Sequence, residues 1–142
     1  MSSFKTTKMV RFEHCDPAGL IFYPRYFQLS HQVIEDWFQQ GLGFPHAELV
    51  MEQRIGIPTV LVEATFLAAS RLEETLAYTL SVQEMGRSSL TLQIEARCQG
   101  EVRCQVKQKI VFAKLDSNPV KSIPIPDAVR EAIRPFQLEA SC

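Results

Sequence analysis

The chain has 142 residues, of which 46% are hydrophobic and 22% are charged, and this mixture is typical of one folded domain covering residues 1–142 rather than of a disordered chain. Its 15 Lys and Arg against 16 Asp and Glu give a formal net charge of −1, which excludes a protein whose main task is to coat nucleic acid. No apolar run approaches the roughly 18 residues needed to cross a bilayer, and no apolar segment follows the first basic residues, so we expect a cytosolic protein without membrane or nucleic-acid partners.

The first part of the chain predicts a strand, a turn-rich segment and one long helix. Residues 4–13 favour a strand, and residues 14–23 are rich in turn formers. Pro24 suits the first turn of a helix, and the apolar residues after it recur at spacings of three and four. We therefore predict an amphipathic helix that begins at Pro24 and ends at Gly41 or Gly43.

The rest of the chain predicts mainly strands. Apolar and polar residues alternate there, which is the pattern of antiparallel sheet with one covered face. Gly86 and Gly100 lie where hairpin turns are needed. We expect a short helix to begin at Pro126-Asp127 and run to about residue 134. We predict four strands joined as a meander, which cover residues 59–68, about 76–82, about 90–96 and 102–112. The segment before them is ambiguous, and in one interpretation residues 46–53 form a second short helix.

These elements define an α+β architecture. One helix is too narrow to cover a flat sheet of five strands, so the sheet is expected to curl around it. An open sheet also leaves two edges that must be paired or protected. The sequence therefore predicts a sheet wrapped around a helix and extended across a homodimer interface.

The four cysteines do not indicate a metal site. They form no C-x-x-C pair and have no His at zinc spacing. We expect Cys98 and Cys104 to face each other across a hairpin as reduced, buried apolar side chains, and Cys142, the last residue, to fray.

The segment that carries chemistry is His14–Phe27, which reads HCDPAGLIFYPRYF. Asp16 precedes the predicted helix, and the first N–H groups of a helix lack intrahelical partners. An N–H near Tyr23 suits polarisation of a thioester carbonyl, while Asp16 suits attack on that carbonyl or deprotonation of a water. An aspartate at such a turn is more often a simple turn residue or helix cap, so from these residues alone the structural interpretation is favoured and the catalytic one stays open.

The segment resembles the signature of hotdog-fold acyl-CoA thioesterases, in the 4-hydroxybenzoyl-CoA thioesterase-like branch. The matching motif is Asp-Pro-Ala-Gly, two apolar residues, an aromatic pair and Pro-x-Tyr, from Asp16 to Tyr26. The resemblance implies a five-stranded antiparallel sheet around the long helix, and homodimers or homotetramers with active sites at subunit interfaces. It also implies that Asp16 is the catalytic carboxylate and that the Tyr23 N–H polarises the thioester.

The same resemblance supplies the expected substrate contacts. Within the motif these are Gly19, Phe22 and Tyr26. The turn at Arg87-Ser88 and the later Lys121 resemble basic positions that contact CoA phosphates. The turn keeps only one of several basic residues found in aromatic-CoA relatives, which leaves an acyl-carrier-protein donor possible.

Other polar residues have structural and functional interpretations. His14 adjoins Asp16 and either tunes its charge or is structural, with the structural role favoured. Glu63 in an apolar strand is expected to face outward rather than serve as a second carboxylate. Ser70, Glu73 and Glu74 occupy a turn that is either plain surface or, as in many hotdog enzymes, close to the partner's active site.

The expected function is therefore hydrolysis of an aromatic or short- to medium-chain acyl-CoA to the free acid and CoA. No metal and no separate cofactor are expected, because coenzyme A is part of the substrate. The alternatives are an acyl-carrier-protein thioesterase and a non-catalytic module that binds acyl thioesters. A hydratase is disfavoured, since no Asp and His pair has the spacing that this chemistry uses.

Overall fold

The computed structural model describes residues 2–138, and its main element is an antiparallel sheet of five strands beside one long helix. The five strands are β1 (Phe4–Met9), β3 (Thr59–Phe66), β4 (Thr75–Met85), β5 (Ser89–Cys98) and β6 (Glu101–Val111). In the sheet they lie in the order β1-β4-β5-β6-β3. A second, three-stranded sheet joins β2 (Ile55–Gly56), β7 (Ala113–Lys114) and β8 (Lys121–Ser122).

The predicted meander of four strands is wrong in one connection. Only β4, β5 and β6 follow one another as hairpins, whereas β3 pairs with β6 and forms one edge of the sheet. The strand β1 forms the other edge, next to β4. Alternation of apolar residues shows which face of a strand is buried, but it does not show which strand is the neighbour.

The long helix begins where the sequence predicts. The helix α1 (Pro24–Asp36) continues through wider, π-type turns over Trp37–Leu42 and ends at Gly43, whose φ of 79° is a left-handed conformation that favours glycine. A further helical turn covers Ala47–Glu52, and α2 (Asp127–Ile133) lies near the C-terminus. No helix within residues 2–138 combines the length and the apolar character needed to cross a membrane.

The core lies between α1 and the concave face of the sheet. Leu29 and Val33 on α1 are almost completely buried, as are Leu80 on β4 and Leu92 on β5. Trp37, in the π-type turns that continue α1, is fully buried. The fold class predicted from the sequence, a hotdog arrangement with a short C-terminal helix, is confirmed.

The expectation that Cys98 and Cys104 face each other across a hairpin is wrong, although both are buried and reduced as expected. Cys98 lies opposite Glu101 and Cys104 lies opposite Ala96, so the two thiols do not face each other across the hairpin. Both are buried and free. The tight turn at Gln99-Gly100 places Cys98 opposite Glu101 and accounts for the difference. Cys142 lies outside the described residues.

The helix packing generates a stability prediction. Replacing Leu29 by Ala removes a side chain that is 1% exposed, and the resulting cavity is expected to cost about 2–5 kcal/mol in the free energy of unfolding. Gln32→Ala, on the exposed side of the same helix, is the matched control and should change it by less than about 0.5 kcal/mol. Equal losses in urea denaturation of the two variants would contradict this packing.

Candidate active site

Asp16 lies in a tight hairpin turn before α1. Cys15 forms an antiparallel bridge with Ile21. The Asp16 N–H donates to the Leu20 carbonyl at 2.9 Å, and the Gly19 N–H donates back to the Asp16 carbonyl at 3.0 Å. Gly19 has a φ of 77°, which a side chain would strain. The turn thus has a defined shape that positions the aspartate.

The Asp16 carboxylate is oriented by its own turn. Its Oδ1 accepts the N–H of Ala18 at 2.9 Å and that of Leu20 at 3.3 Å. Within residues 2–138, Oδ2 has no hydrogen-bond partner. One oxygen therefore anchors the carboxylate and the other is available to react.

The start of α1 leaves one backbone donor unused. The Phe22 N–H donates to the His14 carbonyl, the Arg25 N–H to Phe22 and the Tyr26 N–H to Tyr23. Pro24 has no N–H. Across the described part of the chain no acceptor is bound to the Tyr23 N–H. This group lies at the positive end of the helix, where a developing oxyanion is stabilised.

Asp16 and Tyr23 lie in two neighbouring grooves of the single chain. Asp16 lines a groove of about 260 Å³ together with Phe22 and Arg25. Tyr23 lines a second groove of about 230 Å³ with Tyr26 and Phe66. Phe22 and Tyr23 are 51% and 58% exposed, so neither groove is closed within one chain.

An aromatic cluster surrounds the Tyr23 groove, and sequence reasoning missed its central member. The ring of Phe66, at the end of β3, lies 5.8 Å from that of Tyr23, 5.6 Å from Tyr26 and 6.2 Å from Phe27 between centroids. No pattern in the sequence signals this contact, because Phe66 is distant along the chain and simply ends a strand.

Below the helix start lies a polar network that the sequence did not reveal. The Tyr26 hydroxyl and the buried Ser70 hydroxyl share a hydrogen bond of 2.7 Å. The guanidinium of Arg103 donates to Ser70 at 3.4 Å and to Glu74 at 2.8 Å. Hydrogen bonds from Arg103 hold the pKa of Glu74 at about 2, below the ordinary 4.5. Ser70 and Glu74 therefore do not form a plain surface turn.

Arg87, Ser88 and Lys121, which the sequence predicts to contact CoA phosphates, lie away from the Asp16 hairpin. The carbonyls of Arg87 and Ser88 accept N–H groups from Ile125 and Phe112, so this turn packs beside the segment that carries Lys121. Both basic side chains are exposed. Together they form a basic region at one end of the sheet.

The basic region and the Asp16 hairpin lie at opposite ends of β4. The Asp16 hairpin contacts the turn before this strand, through a hydrogen bond from the Leu72 N–H to the Gly19 carbonyl. The Arg87 turn follows its last residue. An 11-residue strand spans about 33 Å at about 3.3 Å per residue. One chain therefore does not bring the two groups of predicted site residues together.

For His14 and Glu63 the structure agrees with the structural role that the sequence favours. His14 is buried, its Nδ1 accepts the Arg11 N–H at 2.9 Å, and burial lowers its pKa, so this imidazole caps a turn in its neutral form. Glu63 is exposed and lies opposite Lys107 on the outer face of the sheet. Among residues 2–138, no three His, Cys, Asp or Glu side chains cluster as a metal site would require.

Comparison with known proteins identifies the family of the chain. Residues 10–133 match the model of a family described as the thioesterase-like superfamily. The 4-hydroxybenzoyl-CoA thioesterase of Pseudomonas sp. (strain CBS-3) is 24% identical over 130 residues, covering 87% of this chain and 92% of that protein.

Solved structures show the same fold. A gentisyl-coenzyme A thioesterase is 28% identical, with a TM-score of 0.82 over 92% of this chain and 99% of that one. A 4-hydroxybenzoyl-CoA thioesterase variant complexed with 4-hydroxybenzoyl-CoA is 23% identical, with a TM-score of 0.82 over 92% and 98%. The resemblance predicted from the Asp16–Tyr26 motif is confirmed.

The polar network generates a pH prediction. Because the pKa of Glu74 is depressed, its ionised form stabilises the fold above the ordinary pKa of 4.5, and this contribution is lost as the pH falls toward 2. Glu74→Gln should therefore be less stable than the wild type at pH 7, and the difference should shrink between pH 5 and pH 3. Urea denaturation at each pH measures this. A difference that stays constant over the range would contradict the assignment.

Proposed function

Because the chain belongs to the thioesterase-like superfamily, we propose that it hydrolyses an aromatic or short- to medium-chain acyl-CoA to the free acid and CoA. Its predicted enzyme class, a thioester hydrolase, agrees with relatives that are named thioesterases. The aromatic acyl groups named for these relatives make aromatic CoA esters the first substrates to test. A cytosolic location stays a prediction.

One observation carries the proposal: within residues 2–138, Asp16 Oδ2 and the Tyr23 N–H both lack a hydrogen-bond partner and lie seven residues apart along the chain. The thioester carbonyl oxygen accepts the Tyr23 N–H, which draws electrons from the carbonyl carbon. Asp16 Oδ2 then attacks that carbon, CoA leaves as the thiolate, and water hydrolyses the resulting acyl-aspartyl anhydride. In the alternative route, Asp16 accepts a proton from the water that attacks the thioester directly.

The proposed site is completed by a second copy of the chain. In a two-fold pairing of antiparallel β3 edges, the Phe66 end of one copy lies beside the Thr59 end of the other. The Phe66 end of β3 contacts Tyr23. At the other end, the Pro58 carbonyl accepts the N–H of the last residue of β6, and the N–H of the residue after that donates to the Ser88 carbonyl in the Arg87 turn. The Asp16 hairpin of one copy then faces the basic region of the other.

The edge strand β3 has the chemistry for this pairing. Val60, Leu61 and Val62 are 59%, 40% and 43% exposed in the single chain. Such an open, apolar edge invites pairing with another strand. A homodimer is the simplest proposal, and a homotetramer of two such dimers is also compatible with it.

The basic turn, in which Arg87 is the sole basic residue, supports two alternatives. The first is an acyl-carrier-protein thioesterase, and rates on matched CoA and carrier-protein thioesters distinguish it from an acyl-CoA thioesterase. The second is a non-catalytic module that binds acyl thioesters, and release of CoA from any ester in a panel would exclude it.

The chemistry is tested by Asp16→Asn. This change keeps the size of the side chain but removes both the nucleophile and the base, so kcat should fall by at least about 100-fold. Asp127→Asn, at the exposed start of α2, is the matched control and should keep wild-type activity. The readout is free CoA thiol released from benzoyl, phenylacetyl and straight-chain CoA esters. Undiminished turnover in the Asp16 variant would remove this residue from the chemistry.

The shared site is tested by mixing two variants. Asp16→Asn and Arg87→Glu are each expected to be impaired as homodimers, the first in kcat and the second in KM. After co-refolding, random exchange should restore activity to about one quarter of the wild type, because half of the dimers carry one intact site of two. If the two residues act within the same chain, mixing restores nothing.

A further inference from the structure

Arg103 occupies an unusual position in β6. Ala96 on β5 lies opposite Cys104, whereas the next residue, Arg97, lies opposite Val102. Arg103 therefore has no cross-strand partner and is the extra residue of a β-bulge. Bulges redirect side chains out of the regular alternation of a strand. This one leaves the Arg103 residue 6% exposed, between the sheet and the segment that precedes β4.

The buried guanidinium binds both ends of that segment, residues 69–74. Arg103 Nη1 donates to the Ala69 carbonyl at 2.9 Å and to Glu74 Oε1 at 2.8 Å, while Nη2 donates to Glu74 Oε2 at 3.2 Å. Glu74 Oε1 also accepts the Arg71 N–H at 2.7 Å. Glu101 Oε1 lies 2.7 Å from Arg103 Nε without an aligned hydrogen bond, so it contributes charge alone.

The same segment holds both halves of the candidate active site. The Ile21 N–H donates to the Ser70 carbonyl at 2.9 Å, and the Leu72 N–H donates to the Gly19 carbonyl at 2.9 Å. These two bonds attach the Asp16 hairpin to the segment. The Ser70 hydroxyl bonds to Tyr26 in the first turn of α1 and so attaches the helix start to the same segment.

We propose that Arg103 is a positioning residue for thioester hydrolysis, which acts with Glu74 and Ser70 to fix the Asp16 hairpin relative to the Tyr23 N–H. The inference rests on the proposed function. Its physical basis is that a displacement of about 1 Å between reacting groups can cost about 100-fold in rate. The segment 69–74 contacts both the hairpin that carries the carboxylate and the first turn of α1, next to the Tyr23 amide.

The energetics of buried ion pairs favour a positional role over a stabilising one. Removing two charges from water offsets most of their attraction, so replacement by uncharged groups of similar size is often neutral or stabilising. Loss of one partner, in contrast, leaves a buried charge unpaired and destabilises the fold. Single and double substitutions therefore separate the two roles.

The experiment compares Arg103→Met with the double variant Arg103→Met/Glu74→Gln. The glutamine keeps an acceptor for the Arg71 N–H. The single variant should unfold at a lower temperature, and the double variant should recover most of that loss. In the double variant kcat should stay reduced by about 100-fold with KM changed by less than about threefold. Wild-type kcat in a double variant that folds would overturn the proposal.

A second readout does not depend on activity. Hydrogen exchange of the Ile21 and Leu72 amides reports directly on the bonds between hairpin and segment. Both amides should exchange at least about tenfold faster in the double variant than in the wild type. Unchanged protection at both amides would show that the ion pair does not hold the hairpin, and would also overturn the proposal.

A matched control and a fallback complete the test. The pair Lys8–Asp36, with a 2.7 Å contact between β1 and α1, lies outside the network, and Lys8→Met/Asp36→Leu should leave kcat unchanged.

If the Arg103 variants do not fold, the Ser70→Ala variant tests the proposal instead. A fall in kcat of about tenfold with unchanged KM supports the proposal, and wild-type kcat overturns it.

Failure of this inference is distinguishable from failure of the proposed function. If the wild type hydrolyses no acyl thioester, the proposed function itself is wrong. If the wild type is active, Asp16→Asn is inactive and the double variant keeps wild-type kcat, only the positioning role is wrong.

Discussion

One oxygen of the Asp16 carboxylate is bound by two backbone amides of its own turn, and the rest of the proposed chemistry depends on this constraint. The bonds from Ala18 and Leu20 hold Oδ1, so within residues 2–138 Oδ2 is the oxygen without a hydrogen-bond partner. The glycine conformation at Gly19 makes such a tight turn possible. A carboxylate preorganised in this way does not have to give up rotational freedom when a thioester binds, which lowers the cost of reaching the transition state.

Because β4 is long, the two groups of proposed site residues lie too far apart in one chain to form a single site. The Asp16 hairpin and the Arg87 turn lie at opposite ends of this strand, so no rearrangement of side chains within one copy joins them. The proposed two-fold pairing of the open β3 edge would solve this geometric problem, and it would also cover apolar side chains that the single chain exposes. In the proposed dimer, stability, oligomeric state and substrate binding therefore depend on one strand.

The sequence predicted the parts of this molecule that depend on local periodicity. The spacing of apolar residues after Pro24 gave the helix, and alternation gave the inward faces of β4, β5 and β6. It did not predict that β3 pairs with β6, because edge selection is decided by packing of the whole sheet. It also missed Arg103, since a bulge is a break in register that looks in sequence like one more polar residue of a solvated strand. The Asp16 motif was recognised by resemblance, whereas the contacts of Phe66 and Ser70 with it are visible only in three dimensions.

The most direct test of the central claim is a crystal structure of the Asp16→Asn variant with an aromatic acyl-CoA bound. The account predicts the thioester carbonyl oxygen about 2.7–3.1 Å from the Tyr23 backbone nitrogen, with the side chain of residue 16 facing the carbonyl carbon. A thioester bound away from the start of α1, or a Tyr23 N–H that donates to another protein group in the complex, would contradict it.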